Sequence, residues 1–155
     1  MITHNGNNAC LNRLAAGQNS VLLANKLSKS VTFLTATTGA IGAAPIATVT
    51  GIVSMQLFAV CGTTLTTGAG AAIEVGTALS TDALIASTLG ASIDVNEIWH
   101  NATPDASIEL ESIITTKIVT QSVQYEISVN PIDTGEVTFY ILWSPISVDG
   151  NVELA

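Results

Sequence analysis

Groups able to move protons, bind metals or attack carbonyls are sparse in this chain. Asp133-Thr134-Gly135 matches the triplet of aspartic proteases, in which two such carboxylates share a proton. It follows Asn130-Pro131, where Asp and Gly are ordinary turn residues, and Glu136 stands where those enzymes carry a small residue. Asp94, Glu97 and His100 are spaced by three, which on a helix would make one metal-binding face. Ile93, Val95, Ile98 and Trp99 around them are strand formers, and a strand would turn Glu97 away from the other two. Gly68-Ala69-Gly70-Ala71-Ala72 has no helix after it and no ribose-binding acid at the right distance, so it reads as a loop tip. A Cys–His or Ser–His pair would have to use His4 or His100, with Cys10 and Cys61 the only thiols. Asn101-Ala102-Thr103 is a glycosylation acceptor sequence, and Trp99, Trp143, Tyr125, Tyr140 and Phe139 could line a sugar platform, although rings on strands are usually core. The expectation is no catalytic residue, no cofactor and no metal.

What positions these groups is a chain of 155 residues, 48% hydrophobic and only 10% charged. Average proteins carry about 25% charged residues. Twenty Thr, sixteen Ile and thirteen Val make a β-rich, folded chain. One domain is expected, with or without an arm. The net charge of −8 with four Lys+Arg excludes a strongly basic nucleic-acid-binding domain.

The charges are segregated. Arg13, Lys26 and Lys29 precede residue 30, and all twelve acids lie at Glu74 or later, leaving residues 30–73 without a charge. So long a neutral stretch belongs to a core, a membrane, or a surface covered by another chain. Ile41–Val60 is long enough to span a bilayer. Pro45 and Gly51 interrupt it, however, and Thr48, Thr50, Ser54 and Gln56 alternate as in a strand. No membrane span is expected, and the polar first twenty residues do not read as a signal peptide.

Residues 1–45 read as an N-terminal arm, extended or partly helical, plus a first strand at Val31–Leu34. Short helical turns are expected at Asn8–Ala16 and Ser20–Leu27. Residues 46–155 read as an all-β domain, an antiparallel β-sandwich or jelly-roll-like body. Ile46–Cys61 is the longest expected strand; its second face is only half polar, so both of its faces can be covered, and Gly51 marks a bulge. Thr63–Gly70 reads as a loop. Ala71–Ala78, Ala83–Ser87, Asn96–His100, Ser107–Leu110 and Ile113–Ile118 read as short strands, the second of these alternatively as a helical turn. Ser122–Val129 and Glu136–Trp143 each place apolar residues on one face and form an expected β-hairpin around Asn130–Gly135.

A set of segments carries a resemblance: Thr48–Val53 through Phe58–Cys61, Ile73–Thr77, Asn96–Pro104, Phe139–Pro145 and Asp149–Val152. Over roughly residues 45–155 the chain resembles a group of small virion-associated structural proteins of tailed bacteriophages. The resemblance implies no enzyme and a virion component, read here as a capsid decoration or cement protein on the head surface. The major capsid protein and copies of the chain itself, as a homotrimer, are the expected partners. The expected partner-binding residues lie in the arm: Arg13, Leu22, Leu23, Lys26 and Lys29. A tail or fibre component and a carbohydrate- or receptor-binding sandwich are the alternatives.

Overall fold

Strict alternation writes the strands. In Val123–Ser128, Val123, Tyr125 and Ile127 are buried and the residues between them are half-buried, the period of a strand with one face on a core. A computed structural model describes residues 25–155. The strands are β1 (Asn25–Thr32), β2 (Gly42–Thr50), β3 (Val53–Thr67), β4 (Ala72–Thr77), β5 (Ser80–Leu89), β6 (Ile98–Trp99), β7 (Lys117–Val119), β8 (Val123–Ser128), β9 (Ile132–Pro145) and β10 (Asn151–Leu154). They form two antiparallel sheets packed together as a sandwich. The first runs β1-β9-β3, with β6 and β7 both beside β3, and the second runs β10-β2-β8-β4-β5.

The core lies between the sheets. Tyr125 of the second sheet stacks on Phe139 of the first at 6.0 Å, with Phe33 edge-on to Tyr125 and Trp99 against Phe139. Ile46, Met55, Ile73, Ile85 and Ile127 fill the space around them. The Tyr125 hydroxyl donates to the Thr38 carbonyl at 2.8 Å, satisfying the one polar atom that this ring brings inside.

The two open sides of the sandwich are each bridged by a lysine. Lys29 has the inward register of β1, opposite Phe139. Its ammonium donates to the carbonyls of Pro45, at 2.8 Å, and Ala155, at 2.6 Å. On the other side Lys117 of β7 donates to the carbonyl of Ala83 in β5.

Several expectations change. The expected single strand Ile46–Cys61 is two strands in different sheets. Gly51 is the crossing point, at φ +63°, and a Cβ there would lie 2.5 Å from Ser147 Oγ and 2.6 Å from an Asp149 carboxylate oxygen. Only glycine takes that conformation in that space. The expected hairpin of Ser122–Val129 with Glu136–Trp143 is absent. β8 pairs with β2 and β4, whereas β9 pairs with β1 and β3, so the two segments face each other across the core. Val123, Tyr125, Ile127 and the inward residues of β9 are buried as expected, but Val129, expected on the same face, lies beyond β8 and is exposed; the partner of each strand also differs. Val129, at φ +70°, and Pro131 carry the chain from one sheet to the other.

Thr63–Thr67 is the end of β3 instead of a loop, with Thr66 and Thr134 hydroxyls 2.5 Å apart. Ser107–Leu110 and most of Ile113–Ile118 are irregular, with a single 3-10 turn at Glu111–Ile113 and a strand only at Lys117–Val119. Residues 25–27, expected in a helical turn, belong to β1, and the expected boundary between residues 45 and 46 falls inside β2. The other expected helical turn, Asn8–Ala16, lies outside the described residues. Ile41–Val60 supplies β2 and most of β3, and among the described residues no helix is long and apolar enough to cross a membrane.

Candidate functional site

The would-be catalytic groups hold the fold together. Asp133 is at the exposed start of β9 and accepts from the Thr35 hydroxyl at 3.1 Å. Gly135 sits at φ +120°, and a Cβ on it would come within 2.5 Å of Leu65 Cδ2. The glycine of the triplet is therefore required by packing against β3. Asp94, Glu97 and His100 do not converge. Glu97 accepts from the Asp94 backbone N–H at 2.8 Å, while His100 Nε2 turns to Glu109, 3.4 Å away. No group of three or more potential metal ligands occurs among the described residues.

Gly68–Ala72 is the turn from β3 into β4, tied down by Asn130 Nδ2 donating to the Ala69 carbonyl at 2.6 Å. Asn101 is occupied locally: its Oδ1 accepts from the backbone N–H of Thr103 at 2.8 Å. The Cys61 thiol is buried and donates toward the Thr63 carbonyl. Burial pushes its pKa to about 11, so at neutral pH it is an unreactive thiol. Cys10 and His4 lie outside the described residues.

The aromatic platform does not form. Trp99, Phe139, Tyr125 and Trp143 are buried, and only Tyr140, 38% exposed, reaches solvent. Trp99 Nε1 donates to Thr88 Oγ1 at 2.9 Å, so this ring is core. Trp143 Nε1 is the one buried side-chain polar atom without a partner among the described residues; Trp143 stands opposite Asn25, where the described chain begins.

Of the five expected partner-binding residues, Arg13, Leu22 and Leu23 lie outside the described residues. Lys29 is engaged with Pro45 and Ala155 inside the molecule, because its inward register aims it across the sandwich edge. Lys26 is exposed, three register positions away on the outer face.

The remaining feature is a difference between the two outer faces. On the first sheet, register places Phe58 beside Tyr140 and Ser28, Val60 beside Ile98, Thr138 and Ser30, and Gln56 beside Leu142 and Lys26. The Phe58 and Tyr140 rings stack at 5.3 Å. Charges on this face stand at its two ends, Lys26 at one and Glu136 at the other. The Glu136 carboxylate lies between Gly62 and Thr32, whose hydroxyl donates to it at 3.2 Å. On the second sheet Glu74 and Glu126 are directly opposite on neighbouring strands, and Glu153 follows on β10. Two like charges in that register repel. Among the described residues the one ion pair is His100–Glu109, and it does not involve Glu74 or Glu126.

Beside the apolar face runs the connection from β6 to β7. It is fastened by Ile98 N–H donating to the Ala106 carbonyl and by Gln56 Nε2 donating to the Ile114 carbonyl, each at 2.9 Å. Ile108, 86% exposed, and Leu110, 72% exposed, stand out from it. Sequence reasoning found the mixed character of residues 50–60 but not the Phe58–Tyr140 stack, because that stack depends on the β3–β9 register. A cleft of about 280 Å³ between β5 and β7 is lined by Leu79, Leu84, Ile118, Lys117, Thr120 and Gln121, and its Lys117 ammonium already donates to the Ala83 carbonyl. Compared with known proteins, the chain matches no family, no curated protein and no solved structure.

Proposed function

We propose that this chain is a structural contact protein of a tailed-phage virion, a capsid decoration protein that stabilises the head through subunit contacts. One observation carries the reading: one outer face of the sandwich is neutral and partly aromatic while the other bears facing carboxylates. An uncharged outer sheet face that carries a stacked aromatic pair marks a surface that another protein covers. A protein in an assembly uses that face for contact with a neighbouring subunit and leaves its acidic face in water, where like charge keeps particles apart. The exposed Ile108 and Leu110 beside the neutral face widen the contact. The resemblance of residues 45–155 to phage virion proteins points the same way. Contact of this kind needs buried area and shape, with no proton-transfer groups.

The test is binding of the purified full chain to phage heads lacking their decoration, followed by sedimentation and quantitation. A saturating, fixed copy number per head is expected, falling when Tyr140 is replaced by Lys. Absence of saturable binding to heads refutes the reading, and binding to isolated tails in place of heads transfers the chain to the tail. A glycan-binding role would have to use Tyr140, since the other candidate rings are buried.

A further inference from the structure

We propose that the neutral outer face of the first sheet is a two-fold interface with a second copy of this chain. The proposal rests on the contact reading above and names what covers the face. The argument is charge complementarity. Lys26 and Glu136 occupy the same face at opposite ends. Lys26 pairs in register with Leu142 of β9, and six residues of β9 from there to Glu136 span about 20 Å. Midway between them is residue 139. A two-fold axis lying across the strands at that level brings Lys26 of each copy over the Thr32 and Glu136 end of the other. The lateral offset is then one strand spacing, about 4.8 Å, and packed sheets lie about 10 Å apart, a gap that a lysine and a glutamate reach across together. The same operation lays each Tyr140 on the Thr138 and Val60 row of its partner, so that aromatic surface meets small and apolar side chains. An isologous contact requires such self-complementarity.

The face also has the right size. Three strands along the nine residues Ser54 to Gly62 of β3, with the short β6 and β7 on its far side, give about 450 Å² per copy and about 900 Å² for two, close to the lower bound of about 1,000 Å² for a specific interface. Ile108 and Leu110 flank it and add to it. The acidic face of the second sheet is left on both outer surfaces of the pair, in water.

The experiment is sedimentation equilibrium on the full chain and four variants: Tyr140→Lys, Lys26→Glu, Glu136→Lys and the double Lys26→Glu/Glu136→Lys. The full chain is expected to be a dimer. Tyr140→Lys, at an exposed position that leaves the fold intact by circular dichroism, weakens it by more than about a hundredfold. Each single charge reversal weakens it about tenfold, and the double reversal restores it to within about threefold, because the two pairs are re-formed with their signs exchanged. A chain that remains monomeric, a closed trimer, or a double variant no better than the singles overturns the proposal. So does a monomer that dimerises only when residues 1–24 are removed, which would assign the face to the chain's own N-terminal segment. The two readings fail separately. A dimer that behaves as stated but binds no heads refutes the virion reading alone. A monomer whose head binding is lost on Tyr140→Lys refutes the dimer alone.

Discussion

Thr88→Val is the most informative single substitution in the core. Thr88 is 1% exposed, and its hydroxyl oxygen accepts from Trp99 Nε1 at 2.9 Å while facing the carbonyls of Ala86 at 2.8 Å and Asn101 at 3.2 Å. Its one proton goes to one of those carbonyls. Valine keeps the shape and the β-branch but removes the acceptor. The indole N–H of the fully buried Trp99 is then left without a partner, at a cost of about 1–3 kcal/mol. The hydroxyl's own desolvation is no longer incurred, which offsets part of this, so about 2 kcal/mol is the expected net loss. For a chain of this size that lowers the melting temperature by roughly 4–8 °C. Urea unfolding followed by fluorescence reads it as a shift in midpoint at unchanged slope. In the double-mutant cycle, Trp99→Phe with Thr88→Val should show a coupling of about 1–2 kcal/mol, since phenylalanine has no N–H to strand. A loss under about 0.5 kcal/mol for Thr88→Val, or additive behaviour in the cycle, would show that this hydrogen bond does not anchor β6 to β5.

Three further outcomes are expected. Gly51→Ala should cost about 2–4 kcal/mol in urea unfolding, since it adds the left-handed backbone penalty to a clash with Ser147, whose hydroxyl accepts from the Ile52 N–H at 2.7 Å. Stability should fall as pH rises from 9 toward 11. Cys61 has its folded pKa raised from 9.0 to about 11, so the folded state holds the proton more tightly and loses about 2 kcal/mol as that window is crossed. Cys61→Val should remove most of that slope, and a slope unchanged by the substitution would rule the thiol out. Lys29→Met should cost about 1 kcal/mol and speed amide exchange in β10, because the Ala155 and Pro45 carbonyls lose their shared donor.

The lysines show why a charge read from sequence does not reveal its job. Lys26 and Lys29 are three residues apart and chemically the same. Strand register turns one outward onto a neutral face and the other across the open side of the sandwich to the Ala155 carbonyl. The opposing carboxylates Glu74 and Glu126 are likewise fifty-two positions apart and meet only through the β4–β8 pairing.

Alternation and composition decided the local structure. The β-branched content made the chain all-β, and the period-two patterns of Val123–Ile127 and Val137–Trp143 marked which side chains are inside, because a half-buried strand writes its faces directly into its residues. Gly135, read from the sequence as a turn residue, lies inside β9, and its packing against Leu65 came only from the β3–β9 pairing. Tertiary structure alone decided which strands pair. β8 and β9 look like a hairpin from their sequence, yet they face each other across the core, and Ile46–Cys61 looks like one strand yet is split between sheets at Gly51. Pairing register is set by long-range competition among strands of similar local preference, and each alternative buries the same residues. The outer-face contrast came from that choice, since Phe58 meets Tyr140, and Glu74 meets Glu126, in the assembled sheets and nowhere earlier.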